Sequence, residues 1–168
     1  RPSQGGGVRM FGDTRDRGGT PFRRDSRQLL RRAAAELDRA GVSCRFGAEF
    51  EFYLFQTDEN GYPTRIPFDS AGYMDIAPAD RGENVRRDIC LTLEDMGIRP
   101  ESSHHEEGPG QNEIDIRYSD ALTSADNAVT FKSDVETIAT QNGLFACFSP
   151  KPLDRQSGTG LHINISVQ

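Results

Sequence analysis

From Phe46 to Leu54 the chain alternates without a break. Phe46, Ala48, Phe50, Phe52 and Leu54 share one face of an extended segment, and Gly47, Glu49, Glu51 and Tyr53 share the other. Successive strand side chains point to opposite sides, so this segment fits a sheet with one apolar and one polar face. The same period recurs twice. Ile114 and Ile116 alternate with Glu113, Asp115 and Arg117, and Leu161, Ile163, Ile165 and Val167 alternate with His162, Asn164 and Ser166. The apolar face needs helices to cover it, and three segments have helical spacing. The first is capped by Asp25 or Ser26, carries Leu29, Ala33, Leu37 and Ala40 in line, and ends at Gly41. The second runs from Asp80 to Met96 with Val85, Ile89, Leu93 and Met96 inward, and stops at Gly97. The third starts at Thr123 with Asp126 as a capping box and runs through Val135 and Ile138 to Gly143. The expected class is α+β: a mainly antiparallel sheet with helices on one side and a polar, metal-binding face on the other. Residues 1–20 are rich in Gly and Arg, with a short strand expected over Val8 to Asp13 and a boundary near Pro21.

The polar faces carry the chemistry. Glu49 and Glu51 sit at i and i+2 on one strand, roughly 7 Å apart. One cation cannot comfortably take both, but two neighbouring cations can take one each. A second strand adds Glu113 and Asp115, and a third adds His162. Like charges on a half-buried strand disfavour the fold unless a cation offsets them. The turn at Pro109-Gly110 folds the chain back and can bring Glu106 near Glu113. His104 and His105 by themselves would suit zinc, but a mostly carboxylate set favours Mg²⁺ or Mn²⁺. Gly158-Thr159-Gly160 lacks both the Lys-Ser/Thr ending and the following helix of a P-loop.

Charge and composition narrow the classes. Residues 1–40 balance at +5, and residues 41–168 at -11, which sum to the net charge of -6. The arginines gather on and beside the first helix as a solvated face, so no nucleic-acid partner is expected. No apolar run is long enough for a membrane span. Cys44, Cys90 and Cys147 are odd in number and widely spaced. That disfavours a disulfide framework and makes a reducing cytoplasm the expected compartment.

At these residues the chain resembles the glutamine synthetases, of the type I-like kind. Gly47 to Phe55 is similar to their G-x-E-x-E-F-F-L-F strand, and His104 to Tyr118 to their H-H-E-x-x-P-G-Q-x-E-I-D-x-x-Y segment. Asp120 to Asn127, with Phe131-Lys132, continues in register. Pro150-Lys151-Pro152 and Ser157 to His162 resemble the P-K-P and G-S-G-M-H stretches. The resemblance implies ATP-dependent ligation of ammonia to the γ-carboxylate of glutamate through γ-glutamyl phosphate, with ATP as a substrate and two or more divalent cations. It implies that Glu51, Glu106 and Glu113 hold one cation and that Glu49 and His162 hold the other. Glu101, Tyr118, Asn164 and Ser166 would face the nucleotide, and Ser157 and Gly158 the glutamate.

Two positions depart from the pattern: Ser157 stands where many members have Asn, and Asn164 where many have a second His. The resemblance also implies a division of the chain. Residues 1–20 would be the remnant of an N-terminal β-grasp domain and its linker. Residues 21–168 would be the N-terminal half of the catalytic domain, truncated and inactive alone. The parent would be a homo-oligomer of stacked rings. A glutamate–amine or polyamine ligase, and a non-catalytic metal-binding fragment, are the alternative readings.

Overall fold

A computed structural model describes residues 8–168. Three helices and six strands follow in the order α1 (Ser26–Arg39), β1 (Cys44–Thr57), β2 (Pro63–Pro67), α2 (Glu83–Asp95), β3 (Pro100–His105), β4 (Gln111–Ser119), α3 (Ala121–Gln141), β5 (Leu144–Cys147) and β6 (Leu161–Val167). Every strand pairing is antiparallel. β1 is the long central strand. Its Phe46–Tyr53 stretch pairs with β4, which pairs in turn with β3, and its ends take β2, β5 and β6.

The apolar face of β1 packs as its alternation requires. Phe52 and Leu54 are fully buried and Phe50 nearly so, against Val85, Ile89 and Leu93 of α2 and Phe131, Val135 and Ile138 of α3. Phe50 stacks on Phe131 with ring centroids 4.4 Å apart. A fully buried aromatic of this kind contributes on the order of 2–3 kcal/mol by area alone.

Several local expectations are corrected. Val8 to Asp13 forms no strand. α2 begins at Glu83, because Asp80 is drawn into a buried ion pair with Arg86, Oδ2 to NH2 at 2.6 Å. Met96 lies past the helix end and is exposed. α3 starts two residues before Thr123: Asp120 is its N-cap and accepts from the Thr123 amide at 3.0 Å. Asp126, expected to cap α3, instead receives Arg27 of α1 at 2.9 Å. Arg27 also reaches Asp13 at 2.6 Å, so it ties the N-terminal stretch, α1 and α3 together rather than facing solvent. On α1, capped by Asp25, the line Leu29, Ala33, Leu37 and Ala40 is exposed, and Gln28, Leu30, Ala34 and Ala35 turn inward. The helix has apolar residues on two sides, so its period alone does not choose between them.

The helices do not cover β6. Leu161, Ile163, Ile165 and Val167 remain 56–67% exposed, although their period and pairing with β1 are as read.

Candidate metal centre on the polar face of the sheet

Register assembles the site. Opposite Glu49 on β1 stand Asp115 of β4 on one side and His162 of β6 on the other, and opposite Glu51 stands Glu113. Cross-strand partners point the same way, so three strands aim carboxylates and an imidazole at one patch. Ligand atoms of Glu49, Glu113 and His162 lie within 4.8 Å of one another, and so do those of His104, Glu106 and Glu113. Glu113 belongs to both groups.

The two groups differ in surroundings. His162 Nδ1 lies 3.0 Å from Glu49 Oε2, while Asn164 Nδ2 donates to the other Glu49 oxygen at 2.7 Å. In the second group His104 Nε2 lies 3.1 Å from Glu106 and 3.5 Å from Glu113. Glu106 arrives there because the 106–111 turn closes tightly. The Glu106 amide donates to the Gln111 carbonyl at 2.8 Å, and Gly110 takes φ 68°, where a side chain would be strained. Glu113 is 7% exposed. Burial, then its contacts with Glu106 and the negative charge of Asp115, push its pKa up to about 8. A carboxylate held protonated by its neighbours is the arrangement a divalent cation relieves, since the cation replaces the shared proton. The donor set is mainly carboxylate oxygen with one imidazole in each group, which suits Mg²⁺ or Mn²⁺.

Glu51 is in neither group. Its Oε2 accepts from Gln111 Nε2 at 2.7 Å and from the Gly160 amide at 2.8 Å. Glu101, Tyr118, Asn164 and Ser166 all border one cavity of about 190 Å³, together with Glu49, Arg45 and Asp115. Ser157 Oγ donates to Glu107 at 2.7 Å, and the Gly158 carbonyl accepts from Gln111 at 2.9 Å.

Behind the 106–111 turn lies a buried network that the sequence did not announce. His105 is fully buried. Its Nε2 lies 2.9 Å from Asp69, and its Nδ1 lies 2.6 Å from the Glu106 carbonyl oxygen. A carbonyl only accepts, and so does an ionised carboxylate, so both ring nitrogens carry hydrogen and His105 is an imidazolium. Burial opposes that charge, but the Asp69 hydrogen bond and the Glu106 carbonyl outweigh it and raise the His105 pKa. Burial likewise opposes ionisation of Asp69, yet His105 and the amides of Arg81 and Gly110 lower its pKa. Asp69, Asp80 and His105 also lie within ligand distance of one another. Their carboxylates are already matched by Arg86 and His105, so no cation is called for there. Arg86 extends the network to Asn112 at 2.6 Å and to Ser103 at 3.1 Å. The adjacent histidines therefore divide: His104 faces the carboxylates, and His105 anchors the turn.

Sheet, register and donor set together define an antiparallel α+β sheet face whose carboxylates and imidazoles could hold a metal ion, and comparison with known proteins gives the family. The family signature described as glutamine synthetase, catalytic domain, matches residues 23–168. This chain belongs to that family, a family of ligases. It is 51% identical over 167 residues to a glutamine synthetase of Clostridium saccharobutylicum, covering 99% of this chain and 38% of that protein. It is 47% identical to one of Methanosarcina mazei, over 99% of this chain and 37% of the relative. Among solved structures it superposes on the Plasmodium falciparum glutamine synthetase with a TM-score of 0.82 at 27% identity, covering 93% of this chain and 36% of that one. A complex of GmaS with ADP gives 0.78 at 32% identity, over 89% of this chain and 35% of that one. The chain thus spans little more than a third of the relatives' length. Among the described residues no helix is long and apolar enough to cross a membrane.

Proposed function

We propose that the full-length protein carrying this chain ligates ammonia to the γ-carboxylate of glutamate at the expense of ATP, through γ-glutamyl phosphate, giving glutamine. The observation that carries this reading is the pair of ligand groups sharing Glu113, on one sheet face of a chain in this family. Glu49 and His162 would hold one divalent cation, and Glu51, Glu106 and Glu113 the other, with His104 beside them. Bound Mg²⁺ or Mn²⁺ would supply positive charge to the carboxylate and phosphate oxygens brought together for transfer.

The chain's own residues orient the reactants. Glu101, Tyr118, Asn164 and Ser166 would take the nucleotide. Their cavity of about 190 Å³ is a corner of such a site rather than its whole, since ligand pockets enclose about 300 Å³ or more. Asn164 has a carboxamide, so it can donate to a phosphate oxygen but cannot carry charge. Ser157 and Gly158 would border glutamate. With the Ser157 hydroxyl already on Glu107, that loop would offer mainly backbone groups.

Residues 1–20 are assigned to the end of an N-terminal β-grasp domain and linker, and 21–168 to the first half of the catalytic domain. The exposed apolar face of β6 is then the surface the remaining half covers. A cytoplasmic homo-oligomer of stacked rings is proposed for the parent. The test is release of phosphate from ATP by the full-length protein, with glutamate and either ammonia or a polyamine. Ammonia-dependent glutamine formation is expected. Turnover with the polyamine and not with ammonia would reassign it as an amine ligase. Mn²⁺ binding without any ATP turnover would make it a non-catalytic relative.

A further inference from the structure

Gln111 is fully buried and stands opposite Tyr53 in the β1–β4 register. Its carboxamide is completely used. Oε1 accepts from the Gly108 amide at 2.9 Å and faces Tyr53 OH at 3.1 Å. Nε2 donates to Glu51 Oε2 at 2.7 Å and to the Gly158 carbonyl at 2.9 Å. The Gly108 amide can only donate, so the orientation of the carboxamide is fixed, with its NH₂ toward the two acceptors. Tyr53 is also fully buried, and its single hydroxyl hydrogen has its nearest acceptor in the Ser157 carbonyl, at 2.6 Å. The loop returns to the same carboxylate, because the Gly160 amide donates to Glu51 Oε2 at 2.8 Å. Space is closed around these contacts. A Cβ on Gly108 would meet Tyr53 OH at 2.1 Å, and one on Gly160 would meet Glu51 Oε1 at 2.5 Å. Glu51 Oε1 itself has no hydrogen bond among the described residues, while Oε2 is held by both the loop and Gln111.

We infer that Gln111 and Tyr53 are positioning residues that couple Glu51 to the 157–160 loop, so that a cation on Glu51 and glutamate on the loop strengthen each other's binding. This rests on the proposed assignment of Glu51 to a cation and of the loop to glutamate. The physical reason is that one carboxamide bridges the carboxylate and the loop backbone. A cation that fixes Glu51 through its free oxygen thereby fixes Oε2, Gln111, Gly158 and Gly160 as well. Linkage is reciprocal, so an ordered loop returns the same factor to the cation. Tyr53 adds the tie to Ser157.

The test uses the full-length protein and Mn²⁺ alone as probe, and reads backbone hydrogen exchange of residues 156–160 beside calorimetric Mn²⁺ affinity. In the unsubstituted protein, saturating Mn²⁺ should slow exchange in this loop. Gln111→Glu, nearly isosteric, places a carboxylate oxygen against Glu51 and the Gly158 carbonyl. It should weaken Mn²⁺ about tenfold or more, as loss of a ligand's hydrogen-bond partner does, and abolish the Mn²⁺ effect on the loop even at saturation. Tyr53→Phe removes one hydroxyl from the interior and keeps the ring. It should raise the KM for glutamate several-fold and, by the same linkage, weaken Mn²⁺ binding in the same direction. Loop exchange indifferent to bound Mn²⁺, or a Gln111→Glu protein that retains the response, would overturn the inference, as would an unchanged glutamate KM in Tyr53→Phe. Coupling observed in a protein without ligase activity would sink the proposed reaction and leave this inference standing.

Discussion

At neutral pH the metal-free centre holds a proton that an arriving cation must displace. Burial and the neighbouring Glu106 and Asp115 keep Glu113 protonated to about pH 8, far above the usual carboxylate range. The sign follows from linkage. The proton is favoured in the folded, metal-free protein, so this group supports the fold most below pH 4.5, and that support is lost as pH rises to about 8. Cation binding needs the ionised form and therefore gains over the same interval. For a single group titrating at about 8, the ionised fraction is about 1% at pH 6 and one half at pH 8, so Mn²⁺ affinity should rise about fifty-fold between them. An imidazole of ordinary pKa, about 6.5, would give only about a fourfold rise. Calorimetry of the full-length protein with Mn²⁺ in two buffers of different ionisation enthalpy measures both the affinity and the protons released. Release near one proton at pH 7 from this group is expected, falling toward one half at pH 8. Affinity flat between pH 6 and 8, with no proton released, would refute the reasoning.

Three further outcomes follow from contacts already described. Gly160→Ala puts a Cβ 2.5 Å from Glu51 Oε1, so Mn²⁺ affinity measured by calorimetry should fall about tenfold or more in a protein whose circular dichroism is unchanged. Asp134 of α3 is 8% exposed, has an Oδ2 without a hydrogen bond among the described residues, and is pushed up to about 6 by burial. It therefore costs stability as pH rises from about 4 to about 6, and Asp134→Asn should stabilise the protein by about 1–3 kcal/mol at pH 8 and far less at pH 4, by urea denaturation. Asp80→Ala leaves the Arg86 guanidinium buried with its carboxylate partner removed and should cost about 3–5 kcal/mol in the same assay; a cost under about 1 kcal/mol would show the pair to be dispensable.

The alternation of β1, β4 and β6 was legible because a half-buried sheet imposes period two on residue type. The same alternation placed Glu49, Glu113 and His162 on one face before any geometry was known. Helix starts were less legible. Asp120 and Thr123 are both acceptable caps by residue type, and the choice fell to whichever aspartate was free: Asp126 had been taken by Arg27, 99 residues away in sequence. The division of His104 from His105 had a signal, since neighbours on a strand face opposite sides. The partner of His105 had none, because Asp69 lies 36 residues earlier in a loop. Gln111 was missed because it reads as part of the turn at Pro109-Gly110 rather than as the start of β4, and only the structure shows its carboxamide enclosed by Gly108, Glu51 and Gly158. The exposure of β6 was not legible, because period two tells which residues share a face but not whether a helix covers that face.

The central claim is that the sheet's polar face holds two adjacent cations, one on Glu49 and His162 and one on Glu51, Glu106 and Glu113. Anomalous diffraction from crystals of the full-length protein grown with Mn²⁺ tests it most directly. The account predicts two adjacent peaks, each with ligand atoms at about 2.0–2.6 Å. One should lie on Glu49 and His162, and the other on Glu51, Glu106 and Glu113. A peak between Asp69 and His105, or a polar face without any peak at saturating Mn²⁺, would contradict it.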